Sequence, residues 1–222
     1  MVNAPVLQIE NYSLSYKTEH GPLRVLDGIN LSVAKGEVLG LVGESGSGKS
    51  SLAYAILRGL PGQIASEQGT IKFLGEDLTH KIDSQLQDIR GARIAIVFQN
   101  AATALNPTQS LGEHVAEVLR KHRGLNRTSA SSRVLELFRL VGLPDPEAMM
   151  ERFAHEVSGG EKQRVVLATA LACDPDLILF DEPTSALDAT TAATILDLFS
   201  ELQVRTQVAA IFISHDLGVI AN

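Results

Sequence analysis

An apolar run, Val38-Leu39-Gly40-Leu41-Val42, leads directly into Gly43-Glu44-Ser45-Gly46-Ser47-Gly48-Lys49-Ser50, and Ser50 to Leu60 reads as a helix. This G-x-x-x-x-G-K-[ST] spacing narrows the possible folds sharply, because it belongs to a buried strand, a tight loop and a helix in that order. Glycines at 43, 46 and 48 admit torsions that side chains forbid. The N–H groups of the loop and of the helix start then converge on one point, a geometry that suits phosphate groups. Lys49 adds a point charge there, and the Ser50 hydroxyl is able to ligate a divalent cation. A plain glycine-rich surface turn is the bland alternative, but the strand before it and the helix after it argue against that.

A second apolar strand, Leu177-Ile178-Leu179-Phe180, ends in Asp181 and Glu182. Carboxylates at the carboxyl end of a strand sit where ligands bind in open α/β sheets. Asp181 is expected to hold a Mg²⁺ shell, and Glu182 to take or orient an attacking water. Alone, the pair would read equally well as an acidic helix start; the Lys49 loop upstream tips the balance. Gln99 follows Ile94 to Phe98, and His215 follows Ile211 to Ser214, so both stand at strand ends from which a metal, a water or a phosphate can be reached. By spacing alone each would be an ordinary loop residue. The remaining histidines have no such placement. Ser158-Gly159-Gly160 opens a further helix, and its N–H groups form a second anion site unless Ser158 is merely a cap. One domain with one nucleotide already has its loop at 43 to 50. A second phosphate-reading turn makes sense if it serves a neighbouring subunit.

The chain has 222 residues, 45% apolar and 20% charged, enough for one large domain with a real core. A formal net charge of −7 excludes a chain that is basic throughout, as nucleic-acid binders are. The single cysteine, Cys173, lies in the apolar stretch Val165 to Cys173 and gives no disulfide framework, which fits a reducing cytosol. Nothing in the sequence approaches a membrane-spanning run, and Met1 to Ile9 lacks the marks of a signal peptide. Any membrane link is therefore expected through a partner. Strands are expected at 6–16, 25–33, 38–42, 69–74, 94–98, 177–180 and 208–214, the one at 38–42 buried and parallel. Helices are expected at 50–60, 160–173 and 190–204. Leu111, Val115, Val118 and Leu119, like Val134, Leu137, Phe138 and Val141, recur at helical spacing, so 110–150 reads as a helical insert. The last apolar strand barely ends before Asn222, and a domain of this kind is expected to continue further.

These residues resemble the nucleotide-binding domain of ABC transporters over nearly the whole chain. Gly43 to Ser50 resembles the Walker A loop and Leu177 to Glu182 the Walker B strand with its catalytic glutamate. Gln99 matches the Q-loop, His215 the switch histidine and Ser185-Ala186-Leu187-Asp188 the D-loop. Ser158-Gly159-Gly160 matches the signature turn, although Val157 and Glu161 depart from the usual Leu and Gln on either side. Tyr16 occupies the place of the aromatic that stacks on adenine. Phe98 to Pro107 and Ala170 to Pro175 look like the dipeptide/oligopeptide importer group, which also handles nickel and other small solutes.

The resemblance implies an α/β fold: a P-loop NTPase core with a mainly parallel sheet, an N-terminal antiparallel β subdomain and an inserted helical subdomain. The core would be 1–99 and 162–222 and the helical part 100–161. It implies ATP and Mg²⁺, with Gly43, Glu44, Ser45, Gly46, Ser47, Gly48, Lys49, Ser50 and Ser51 on the phosphates and Ser50, Gln99 and Asp181 on the metal. It implies a head-to-tail pair of identical or different cassettes, each ATP completed by the Ser158-Gly159-Gly160 turn of the other, with Glu182, Gln99 and His215 catalytic. Partners would be a membrane permease and, indirectly, a solute-binding protein, which places the chain in the cytoplasm on the inner face of the membrane. A soluble ABC ATPase acting on DNA or ribosomes is the alternative, but no coiled coil, zinc module or second cassette is present in these residues. A regulatory module without turnover fits poorly with Glu182, Gln99 and His215 all in place.

Overall fold

A computed structural model describes residues 4–215; Met1 to Asn3 and Asp216 to Asn222, which the sequence reading places at the two ends of the core, lie outside the described residues. The chain begins with strands β1 (Leu7–Thr18), β2 (Gly21–Val33) and β3 (Val38–Val42), then helix α1 (Lys49–Ile56), strands β4 (Ile64–Phe73) and β5 (Glu76–Asp77), and helix α2 (Asp83–Gln87). Strand β6 (Ile94–Val97) precedes helices α3 (Ala101–Ala104), α4 (Leu111–Arg123), α5 (Arg127–Leu140), α6 (Pro146–Glu151) and α7 (Gly159–Leu171). Strand β7 (Leu177–Asp181), helix α8 (Ala189–Thr206) and strand β8 (Ala209–Ser214) follow.

The strands form two sheets, an antiparallel one in the order β2-β1-β4-β5 and a parallel one in the order β3-β8-β7-β6. Strands β6, β7 and β8 are apolar at almost every position, as burial on both faces requires. Their side chains alternate between two cores. Ile94, Leu177, Leu179, Ala209, Ile211 and Ile213 pack with the antiparallel sheet and α1. Ala95, Val97, Ile178, Phe180, Ala210 and Phe212 pack with the helices, so the parallel sheet is the middle layer. On the helical face Phe180 stacks on Phe212 at 4.2 Å, and Phe199 of α8 meets both edge-on at 4.6 and 5.0 Å.

The helical insert has the expected stripe. Leu111, Val115, Leu119, Val134, Leu137, Phe138 and Val141 are all buried in one cluster with Val165 and Leu171 of α7. Val118 is the exception: it is only partly buried and faces a groove. Local signals set the helix starts. Ser110, Asn126 and Asp188 accept the N–H of Glu113, Ser129 and Thr191.

Three expectations need correction. The helix expected to reach Leu60 stops at Ile56. Arg58 turns to φ 54°, and its guanidinium pairs with Glu67 and donates to the Thr79 carbonyl at 3.1 Å. The Arg58 and Gly59 N–H groups close the helix end on the Ala55 and Tyr54 carbonyls at 3.0 and 2.9 Å. Strand β3 is parallel as expected, yet Val38 and Val42 are 47% and 41% exposed, because its only hydrogen-bonded neighbour among the described residues is β8. Cys173 is buried but lies beyond the end of α7, in the turn before β7.

Phe212 anchors the aromatic cluster at 6% exposure. Phe212→Ala should cost about 3–5 kcal/mol in urea unfolding, against under 1.5 kcal/mol for a swap that keeps volume. A loss below 1 kcal/mol for Phe212→Ala would show that this cluster does not hold the sheet to the helices.

Candidate nucleotide site

Register decides which side chains meet. Val42 of β3 is level with Ser214 of β8, Ile213 of β8 with Asp181 of β7, and Phe180 of β7 with Val97 of β6. All four strands run the same way, so Gly43, His215, Glu182 and Gln99 leave the sheet one or two residues past its carboxyl edge. Four stretches separated by up to 172 positions in sequence (43 to 215) are brought to one rim.

The loop at 43 to 50 closes on its own lysine. Lys49 Nζ donates to the Gly43 carbonyl at 2.7 Å, to the Glu44 carbonyl at 2.7 Å and to Ser47 Oγ at 3.3 Å. The ammonium is therefore held over the centre of the loop by neutral acceptors, and no carboxylate among the described residues forms an ion pair with it. The glycines do different work. Gly46 and Gly48 have φ of 82° and 93°, in the left-handed region. At Gly48 a Cβ would also sit 2.5 Å from the Val25 carbonyl of β2. Gly43 has no such torsion; there the limit is space, with a Cβ 3.0 Å from Ser47 Oγ.

Ser50, in the first turn of α1, donates its hydroxyl to Asp181 Oδ1 at 2.9 Å. Burial pushes the Asp181 carboxyl above its ordinary pKa, with Glu182 adding to the push; the Ser50 hydrogen bond and Lys49 pull the other way and do not offset it. Glu182 itself sits at φ 50°, an unusual torsion for a residue with a side chain. Such strain costs about 1–3 kcal/mol and persists where surrounding contacts fix it. Here the Glu182 N–H donates to the Ile213 carbonyl at 2.9 Å, and its own carbonyl accepts from Ser185 N–H and Oγ at 3.3 and 3.0 Å. The side chain is aimed at His215, whose Nδ1 lies 3.2 Å from Glu182 Oε1.

The Ser158-Gly159-Gly160 turn opens α7 through a reciprocal cap. Ser158 Oγ accepts from the Glu161 N–H at 3.3 Å, and Glu161 Oε2 accepts from Ser158 N–H and Oγ at 2.8 and 2.7 Å. Those bonds from Ser158 hold the Glu161 carboxyl below its ordinary pKa. The charge that sequence reading places beside a phosphate turn is thus folded back on its own cap. The turn leans on the segment after Glu182: a Cβ at Gly159 would be 3.6 Å from Leu187, and one at Gly160 only 2.8 Å from Thr191. Ser158 and Gly159 are exposed.

Tyr16 lies on β1 opposite Leu23 of β2, two residues short of the Val25 carbonyl that contacts Gly48. Its ring packs against the core, and burial pushes its hydroxyl pKa up. Gln99 is exposed just past β6. Sequence reading misses one feature. A groove of about 690 Å³ opens between α1, β6, α4 and α7, walled by Tyr54, Phe98, Val118 and Val166 and by His114 and His122, which had no assigned role. Only the partly buried Val118 hints at it.

Lysine over a glycine loop, a hydroxyl–carboxylate pair and a glutamate–histidine pair on one carboxyl rim define a phosphate-handling P-loop domain. Residues 26–185 match the ABC transporter family. The chain belongs to that family. It is 44% identical over 218 residues to the oligopeptide transport ATP-binding protein OppD of Bacillus subtilis (strain 168), covering 98% of this chain and 61% of that relative. It is 42% identical over 218 residues to the dipeptide transport ATP-binding protein DppD of the same organism, covering 98% and 65%. The chain thus spans under two thirds of the length of these relatives. Among solved structures it resembles the dimeric ATP-binding cassette MJ0796 bound to ADP and Pi, with TM-score 0.82, 29% identity and coverage of 96% and 89%. It also resembles cbiO1 from Clostridium perfringens, part of the transporter complex cbiONQ, with TM-score 0.79, 27% identity and coverage of 97% and 80%.

The raised Asp181 pKa carries a pH signature. A carboxyl that holds its proton more tightly when folded costs stability once ionised. That cost is complete above the folded pKa and gone below the unfolded value of about 3.9. Asp181→Asn should therefore melt above wild type at pH 7, with the gap closing as pH falls toward 4. A variant that melts at or below wild type at pH 7 would contradict the assigned burial cost.

Proposed function

We propose that this chain is an ATP-hydrolysing cassette that works as one of a pair and drives solute import through a membrane permease. The observation that carries this reading is the rim itself, where Lys49, the Ser50–Asp181 pair and the Glu182–His215 pair sit on adjacent in-register strands. Gly43 to Ser51 would wrap the phosphates, with Lys49 exchanging its loop carbonyls for the β- and γ-phosphate oxygens. Tyr16 would support the adenine.

The donor set fits Mg²⁺. Ser50 Oγ and Asp181 Oδ1 are hard oxygen donors 2.9 Å apart, and among the described residues no three His, Cys, Asp or Glu form a metal cluster of their own. An ion held by one hydroxyl and one carboxylate would arrive with the nucleotide's phosphates, and Gln99 stands at the end of β6, the strand next to Asp181's. Mg²⁺ would supply charge neutralisation on the transferred phosphoryl group. Glu182 would take the proton of the attacking water, and His215 would hold the Glu182 carboxylate in place from 3.2 Å.

One loop is enough for one nucleotide, so the exposed Ser158-Gly159-Gly160 turn would cap the ATP of the second cassette, identical or different. The dimeric cassettes among the similar structures support this arrangement. No helix among the described residues is long and apolar enough to cross a membrane. The groove of about 690 Å³ would receive a cytoplasmic helix of the permease. Burial keeps His114 and His122 below their ordinary pKa, so both favour the neutral form there, and Arg90 supplies the groove's positive charge. The chain would then act in the cytoplasm at the inner face of the membrane. The transport proteins it resembles support a peptide as the solute, delivered by a binding protein that this chain never touches.

Glu182→Gln should lower steady ATP turnover by 10²–10⁴-fold, the usual worth of a general base, while ATP still binds and holds the pair together. Lys49→Ala should lose nucleotide binding. Turnover of Glu182→Gln at the wild-type rate in a coupled phosphate-release assay would overturn the assigned base.

A further inference from the structure

Two buried side-chain atoms among the described residues have no hydrogen-bond partner: the Tyr16 hydroxyl and Gln163 Nε2. Gln163 is the deeper puzzle. It is 2% exposed, on α7, five residues after Ser158. It lines a void of about 10 Å³ whose other walls include Val97, Phe180, Pro183, Phe199 and Phe212, all apolar. A bound water needs a cavity of about that size at least and 2–4 polar partners. These walls offer no second polar side chain, so a resident water does not explain the amide.

The walls are not arbitrary. Val97 closes β6 two residues before Gln99, Phe180 precedes Asp181, Pro183 follows Glu182, and Phe212 lies three residues before His215. The amide therefore sits directly beneath the three strand ends that carry the hydrolytic rim. A residue without a polar head would fill this space at no penalty, whereas a buried donor left unpaired is expensive. Local rules of this kind are broken where function needs the break.

We propose that Gln163 is a positioning residue for the hydrolytic rim, its amide unpaired within the single chain and paired once the cassettes close. The helix that carries Gln163 begins at the Ser158 turn, which the paired-cassette reading places on the second subunit's ATP; the proposal rests on that reading. Closure would draw α7 along with its turn and bring the amide against the backbone carbonyls of the Asp181–Pro183 segment. Hydrolysis geometry at Glu182 would then depend on whether the opposite ATP is in place. Gln163 touches no nucleotide in this scheme; it acts through the segment that it braces.

The test is Gln163→Leu, with Gln163→Met as a second variant of similar volume, in the full chain. Three readouts are needed: melting temperature without nucleotide, ATP affinity, and turnover at saturating Mg-ATP. Expected are a rise in melting temperature of about 2–4 °C, ATP affinity within twofold of wild type, and turnover down at least tenfold. Turnover within twofold of wild type in both variants would overturn the proposal. So would a joint fall of melting temperature, affinity and turnover in both, because that pattern reports packing damage. The paired-cassette reading beneath the proposal fails separately, through a wild-type turnover per chain that stays constant on dilution to the monomer.

Discussion

The pairing of β8 between β3 and β7 is the constraint on which the site depends. Strand β8 is the last described element, yet it separates the glycine loop's strand from the carboxylate strand. Its register sets Val42 against Ser214 and Ile213 against Asp181, which levels the loop, His215 and Glu182 on one rim. A slip of one residue would turn every alternate side chain into the wrong core and lift one group off the rim. Both faces of β7 and β8 are apolar, so shape guards against that slip: Phe180 and Phe212 fit the aromatic cluster with Phe199 on the helical side. The two cores are thus part of the rim's geometry as well as of stability.

Charge is arranged unevenly across this rim. Lys49 is satisfied by carbonyls, which an anion of higher charge can displace without stranding a buried partner. Asp181 and Glu182 are adjacent and half-buried, and the burial cost at Asp181 is met only in part by Ser50 and Lys49. Glu182 carries backbone strain besides. The rim is therefore a costly arrangement held by its scaffold, and a ligand bringing phosphates and a cation would relieve much of the cost. Gln163 beneath the rim follows the same pattern.

Much of this was legible in the sequence, for local reasons. Apolar runs ending in Gln99, Asp181-Glu182 and His215 mark strand ends, and the Ser158 cap with Glu161 three residues later marks a helix start. What was not legible depends on partners far away in sequence. The early stop of helix α1 was legible at Gly59, whose N–H closes on the Tyr54 carbonyl, but the Arg58 pairing with Glu67 and the Thr79 carbonyl that goes with it was not. The exposure of β3 follows from its place in the strand order, which its own five residues do not encode. The three loop glycines look alike in sequence, yet two are needed for torsion and one for space. The groove is built from α1, β6, α4 and α7 together, so His114 and His122 read as ordinary surface histidines until those elements meet.

The central claim is that one cassette supplies the loop and the base while another supplies the Ser158 turn, so neither hydrolyses ATP alone. The most direct measurement is the Mg-ATP hydrolysis rate per chain across a wide dilution series. The account predicts a rate per chain that climbs with concentration and falls away on dilution, as pairing is lost. A rate per chain that stays constant down to dilutions where the chain is monomeric by light scattering would contradict it.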